Sequence, residues 1–239
     1  MPMANLDRNM TGIGALADPV RRELYRFVAS QAAPVSRDDA AAATGIARHQ
    51  AKFHLDRLEA DGLLVSDYAR LTGRSGPGAG RPSKRYRRSP SEIAVSLPPR
   101  EYELAGRLMA DAIAESARTG TPAIQALDRL ARDYGRELGE AATAERPPTD
   151  TAAALELATD VLTEHGYEPR DDGGGDVYLA NCPFHGLAQS QTELACTMNL
   201  ALISGVADAL MPYCPRARLA PDPSRCCVVL TAGGCPAPG

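Results

Sequence analysis

The chain has 239 residues, 44% hydrophobic and 23% charged, with a net charge of −4. That length can bury a core as one large domain or two small ones, and that balance argues against disorder of the whole. No apolar run approaches the length of a bilayer span, and MPMANLDRNMTG lacks the basic-then-apolar layout of a secretion signal, so a cytoplasmic protein without a membrane partner is expected.

The charge is unevenly divided. Residues 1–100 hold 16 Lys and Arg against 10 Asp and Glu, whereas the remainder holds 10 against 20. A basic first half suits a polyanion as partner, and nucleic acid is the natural candidate.

In chain order, Leu16, Val20, Leu24, Phe27 and Val28 recur at helical spacing, with Asp18-Pro19 placed as N-cap and first-turn proline. Pro34 ends that helix, Ser36 and Asp39 start an Ala-rich one, and Gly45 closes it. Ile46–Asp61 is the next helix, with Ile46, Ala51, Leu55 and Leu58 on one face and Gly62 after it. Leu63–Tyr68 and Lys84–Arg88 read as a strand and its return, joined by the Gly/Pro-rich segment LTGRSGPGAGRPS. This is the order of a winged helix-turn-helix.

Further on, Pro99–Arg118 and Pro122–Ala144 read as two helices after a proline-bounded connector. Thr151–His165 is a third helix, and Tyr167–Pro169 and Val177–Asn181 are strands. Leu187–Leu210 reads as one long helix, and Arg216–Ala220 and Cys226–Thr231 as closing strands, with a frayed tail from Gly233. The fold class expected is α+β. Its parts are a DNA-binding winged helix-turn-helix (1–98), a helical connector that supplies the dimer contact (99–148), and a sensor domain with a small antiparallel sheet and a long helix (149–239).

The second helix of a helix-turn-helix pair enters the major groove. Opposite its apolar residues, Ile46–Asp61 presents Arg48, His49, Gln50, Lys52 and Arg57. Arg and Lys can donate to guanine, and Gln can pair with adenine. Phe53 either packs on the wing or touches a thymine methyl, and His54 is half-buried. From Arg70 to Arg88 there are seven basic residues and no acidic one; Arg81, Lys84, Arg85 and Arg87 in RPSKRYRR suit phosphate or minor-groove contact. The competing reading is a solvated basic hairpin.

All six cysteines lie between Cys182 and Cys235. In a cytoplasmic chain that clustering points to metal binding or redox chemistry rather than disulfides, with free thiols buried in a core as the plain alternative. Asn181-Cys182-Pro183-Phe184-His185 sets Cys and His three residues apart, a feasible chelate. Cys196 follows on the next helix, and Cys226 and Cys227 open the last strand, where alternation would aim one of the two at the site. Cys214 is a substitute ligand, and Cys235 is the weakest candidate. The spacing is neither a zinc ribbon nor a ferredoxin run. An enzyme is not expected: Glu193 is the one carboxylate near the ligands in sequence, and no Walker loop, GxGxxG or Ser-His-Asp order appears.

GIARHQAKFHLDRLEADGLL followed by GRPSKRYR resembles the ArsR-like winged-helix repressors, which implies a homodimer on a near-palindromic double-stranded operator. NCPFHGLAQSQTELACTMNLALISG followed by ARLAPDPSRCCVVL resembles the C-terminal domain of the SufR-type iron–sulfur regulators. That resemblance implies a transcription regulator, a repressor of iron–sulfur assembly genes, whose cysteines hold an iron–sulfur cluster. Carried over by motif, Cys182, Cys196 and one of Cys226 or Cys227 take the cysteine roles, and His185 is the fourth ligand. Some members use four cysteines; Cys214 would then be nearest, though its spacing fits poorly. Zinc at the same ligands is the alternative cofactor.

Overall fold

The computed structural model describes residues 3–69, 82–222 and 224–233. Arg70, Arg74 and Arg81, most of the Gly/Pro-rich segment between the wing strands, and Cys235 with the tail beyond Gly233 lie outside the described residues. The chain folds as two compact units, Met3–Val95 and the portion from Ser96 onward.

The first unit runs α1 (Met3–Ala15), α2 (Pro19–Ser30), β1 (Val35–Ser36), α3 (Arg37–Thr44), α4 (Arg48–Ala60), β2 (Leu64–Ala69) and β3 (Ser83–Arg88). Helix starts are fixed locally. The Asp18 carboxylate accepts from the amides of Val20 at 2.8 Å and Arg21 at 3.0 Å, with Pro19 in the first turn. Ser36 and Asp39 form a reciprocal capping box at α3, and Gly45 ends that helix at φ 67°, a backbone state that favours glycine. The apolar faces of α2, α3 and α4 meet over a core that includes Leu24, Val28, Ala40, Leu55 and Leu58.

Below them lies an antiparallel sheet of order β1-β3-β2, in which Asp67 faces Arg85 and Val35 faces Tyr86. The sequence reading missed α1 and the two-residue β1, and it began α4 two residues early.

The second unit holds α5 (Tyr102–Thr119), α6 (Ala123–Glu145), α7 (Thr151–Glu164), β4 (Pro169–Asp171), β5 (Asp176–Leu179), α8 (His185–Ser190), α9 (Thr192–Asp208), β6 (Arg216–Leu219) and β7 (Val228–Thr231). The four strands form an antiparallel sheet of order β4-β5-β7-β6. Helices α5 and α6, expected as a separate connector, pack into the same core as α7, α9 and β7, through Leu108, Leu127, Leu162, Leu202 and Leu230. The division expected at residue 148 is therefore not a boundary between compact units.

Helix α6 lies against α9 at backbone distance. A methyl group added to Gly135 would stand 1.9 Å from the Leu202 carbonyl oxygen, and one on Gly205 would stand 2.0 Å from that of Arg132. Glycine at these positions lets the two helices approach more closely than side chains allow. The expected helix 187–210 is two helices, broken at Gln191, whose backbone (φ −137°, ψ 63°) leaves the helical region.

Candidate functional site

The first unit presents one face of α4 to solvent. Arg48, His49, Gln50, Lys52 and Arg57 are all exposed on it, and Phe53 is 66% exposed rather than packed on the wing. Several of these cations have acidic partners. Arg48 is ion-paired with Asp38 of α3, Lys52 lies 3.6 Å from Asp56, and Arg57 reaches Asp61 at 2.9 Å. The pairs of Arg48 and Lys52 are exposed on both sides, so they are weak and exchange readily for phosphate, whereas the Asp61 carboxylate that holds Arg57 is largely buried. Gln50 Oε1 accepts from the Ala47 amide at 3.3 Å, as part of the helix start.

The wing basics divide into two groups. Arg87 and Arg88 are exposed. Lys84 and Arg85 are held inward. Lys84 Nζ donates to Asp56 at 2.8 Å and to Glu59 at 2.5 Å, both on α4, and stands 5.1 Å from the Tyr86 ring centre. Tyr86 is buried and donates its hydroxyl to the same Asp56 at 2.7 Å.

Burial opposes the Lys84 charge, but the hydrogen bonds to Asp56 and Glu59 outweigh it and hold the ammonium above the ordinary lysine range. Burial likewise opposes the Asp56 carboxylate, and the bonds from Lys84 and Tyr86 hold it below the ordinary range. Arg85 grips Asp67 through two hydrogen bonds of 2.9 and 3.1 Å. In this structure both cations fasten β3 to its neighbours instead of extending toward solvent, because their acidic partners come from α4 and β2.

The second unit brings Cys182, Cys196, Cys226 and Cys227 together. All four are free thiols, and with His185 they line one cavity of about 340 Å³. Cys182 leaves β5 in the loop before α8, Cys196 sits in the second turn of α9, and Cys226–Cys227 precede β7. The sulfurs act on one another's titration, Cys182 with Cys226, and Cys227 with both Cys226 and Cys196. One expectation needs correction. Cys226 and Cys227 both face the cavity, because the strand starts only at Val228 and its alternation does not govern them.

His185 is exposed at the cavity edge, its ring nitrogen 3.1 Å from the Gln189 side-chain nitrogen. Cys214 is buried, disulfide-bonded and not among the free thiols, so it is no substitute ligand. Among the described residues, no group of three or more His, Cys, Asp or Glu converges closely enough to hold one metal ion.

Cys226 is the acceptor among these sulfurs. The thiols of Cys182 and Cys227 donate to it, and with the Val228 amide and the Asn199 side chain they outweigh burial and pull its pKa down. Donating to Cys226 in turn pushes the Cys182 and Cys227 thiols up, and burial adds to this.

Sequence reasoning missed the groups around these sulfurs. Asn199, only 1% exposed, donates to Cys226 Sγ at 3.1 Å and accepts from the buried Tyr167 hydroxyl at 2.5 Å. Burial, and then the Cys226 and Cys182 sulfurs, hold Tyr167 well above the ordinary phenol range. Asn199 was detectable as a polar residue three positions after Cys196, hence on the same helix face. Arg100 was not: it donates to Asn181 Oδ1 at 2.5 Å and to the Cys182 carbonyl at 3.1 Å, from 81 residues away in the chain.

The donor set fits a soft metal centre. Deprotonated cysteines are the ligands of zinc and of iron–sulfur clusters, and four free cysteines line this one cavity.

Residues 16–67 match the model of a family described as a helix-turn-helix domain. The matched span runs from the turn before α2 to within β2. No curated protein and no solved structure matches the chain. The first unit is thus a helix-turn-helix domain, and the chain is a DNA-binding transcription regulator of the winged class. Among the described residues, no helix is long and apolar enough to cross a membrane.

Proposed function

We propose that this regulator's hold on DNA depends on an iron–sulfur cluster carried by Cys182, Cys196, Cys226 and Cys227. The observation that carries the reading is that all four free cysteines, with His185, line one cavity. Zinc gathers its ligands on one ion, whereas a cluster distributes four cysteines over two or four irons; the four-cysteine lining suits either, and the resemblance of NCPFH and CCVV to SufR-type regulators selects the cluster. His185, at the edge and bonded to Gln189, is placed to shield the opening or to replace one thiolate. Bound there, the cluster supplies a centre that forms and is lost with iron supply and oxidant.

The chain's own residues do the rest. Cys182 and Cys226–Cys227 sit on loops, and a ligand that binds only the folded arrangement stabilises it. Loading therefore ties those loops to α9. The loop carrying Cys182 also holds Arg100, through Asn181 Oδ1 and the Cys182 carbonyl, only five residues after the DNA-binding unit ends. A change in that loop thus reaches the segment that leaves the DNA-binding unit.

On DNA, α4 enters the major groove with His49, Gln50, Lys52 and Phe53 toward base edges, and Arg48, Arg57 and Arg87 neutralise phosphates. A homodimer, a near-palindromic operator, repression and iron–sulfur assembly genes as targets belong to the same proposal. The homodimer and the operator are carried by the resemblance of GIARHQAKFHLDRLEADGLL and GRPSKRYR to ArsR-like repressors, and the target genes by that of NCPFH and CCVV to SufR-type regulators.

The test is the iron, sulfide and zinc content of protein purified and reconstituted without oxygen, followed by DNA binding with and without the bound group. Iron with sulfide, lost in Cys182→Ser and Cys226→Ser, supports the proposal. One zinc per chain without sulfide replaces the cluster by a zinc site, and no metal at all refutes the sensor reading.

A further inference from the structure

Asn199 and Tyr167 are both buried, 1% and 3% exposed, in a core built mainly from apolar side chains such as Leu162, Leu202 and Ile203. Two polar groups are retained there only if each finds a partner. They find one another, and then a sulfur. Tyr167 donates to Asn199 Oδ1 at 2.5 Å, and Asn199 Nδ2 donates to Cys226 Sγ at 3.1 Å. A deprotonated, metal-bound sulfur can only accept. The amide must then turn its NH2 toward Cys226 and its oxygen toward the phenol, which is the arrangement present here.

The bond from Asn199 falls on Cys226, the sulfur just before β7. Hydrogen bonds to a ligating sulfur withdraw electron density and stabilise the reduced, more negative cluster, so they raise its reduction potential.

We propose that Asn199, oriented by Tyr167, is a positioning residue that donates an N–H···S bond to the Cys226 thiolate and sets the reduction potential of the cluster. The inference rests on the cluster reading above. It adds that this chain has built a dedicated donor for one of its ligands.

The experiment uses the full chain, loaded with iron and sulfide without oxygen, and follows the midpoint potential by optical and electron-spin titration. In Asn199→Leu the ratio of reduced to oxidised cluster at fixed potential should fall about tenfold, a downward shift of about 59 mV for one electron. Tyr167→Phe keeps shape and volume and removes only the orienting hydroxyl. It should shift the potential in the same direction by less, and it decides the matter if Asn199→Leu does not fold. Loaded variants whose ratio stays within twofold of the parent overturn this inference alone. A parent chain that takes up neither iron nor sulfide overturns the cluster reading and this inference with it.

Discussion

Substituting Gly205 by Ala tests whether α6 and α9 are held together by backbone contact. The new methyl group would stand 2.0 Å from the Arg132 carbonyl oxygen and 2.8 Å from the Arg136 amide nitrogen. Carbon rarely approaches other heavy atoms within about 3 Å, so α6 must retreat by about 1 Å at that level. The obstacles are main-chain atoms in the middle of a helix, which no rotamer change can move. Overpacking of this kind costs about 3 kcal/mol, the upper part of its usual range, and the better helix propensity of Ala returns about 1 kcal/mol.

A net loss of about 2 kcal/mol lowers the melting temperature by about 6 °C in a unit of this size. Gly106→Ala on α5 is the matched control. Nothing lies within 4 Å of its added methyl group, so the same exchange should gain about 1 kcal/mol of stability. Thermal and urea unfolding of the two variants should move in opposite directions. A Gly205→Ala protein as stable as the parent would refute the close-contact argument.

Three other outcomes follow from the first unit. Asp18→Ala removes the cap that accepts from Val20 and Arg21 and should lower the urea midpoint of the first unit, whereas Asp18→Asn, which keeps an accepting oxygen, should lower it less. Asp56→Asn breaks the bonds from Lys84 and Tyr86; with Asp56 partly exposed, the cost at neutral pH is about 1 kcal/mol after allowing for solvent screening. Because the folded-state pKa of Asp56 is lowered, that contribution is present above its ordinary value of 3.8 and lost as pH falls below it. The raised Lys84 pKa makes its share complete below 10.5 and lost as pH climbs beyond, so stability curves of parent and variant should converge at both extremes. Arg87→Ala should weaken binding to all duplex sequences and reduce the salt slope by about 1, whereas His49→Ala should alter sequence preference with little change in slope; identical behaviour would contradict the groove assignment.

Elements with a local signal were readable from sequence. The Asp18-Pro19 start of α2, the Ser36–Asp39 box and the apolar face of α4 each announce themselves within a few residues. What depended on pairing was not. Arg85 looked like a phosphate ligand until strand register set Asp67 opposite it, and Lys84 until α4 brought Asp56 and Glu59 beneath it. The break at Gln191 has no glycine or proline to mark it. Helix α1, with Gly12 and Gly14 in its last turns, lacks the propensity expected of a helix; Gly12 lies against Ile93, far along the chain. At the cysteines, the clustering in sequence was visible, but that both Cys226 and Cys227 face the cavity depended on where β7 begins.

The order in which the sulfurs occur along the chain bears on when the site can come into being. Cys182 and Cys196 precede Cys226 and Cys227 by 30 or more residues, and the last two join them at the cavity where β7 inserts between β5 and β6. A centre held by all four, as proposed above, would therefore depend on the last strand to enter the sheet, and damage to β7 would reach the ligands before it reached the helix-turn-helix domain.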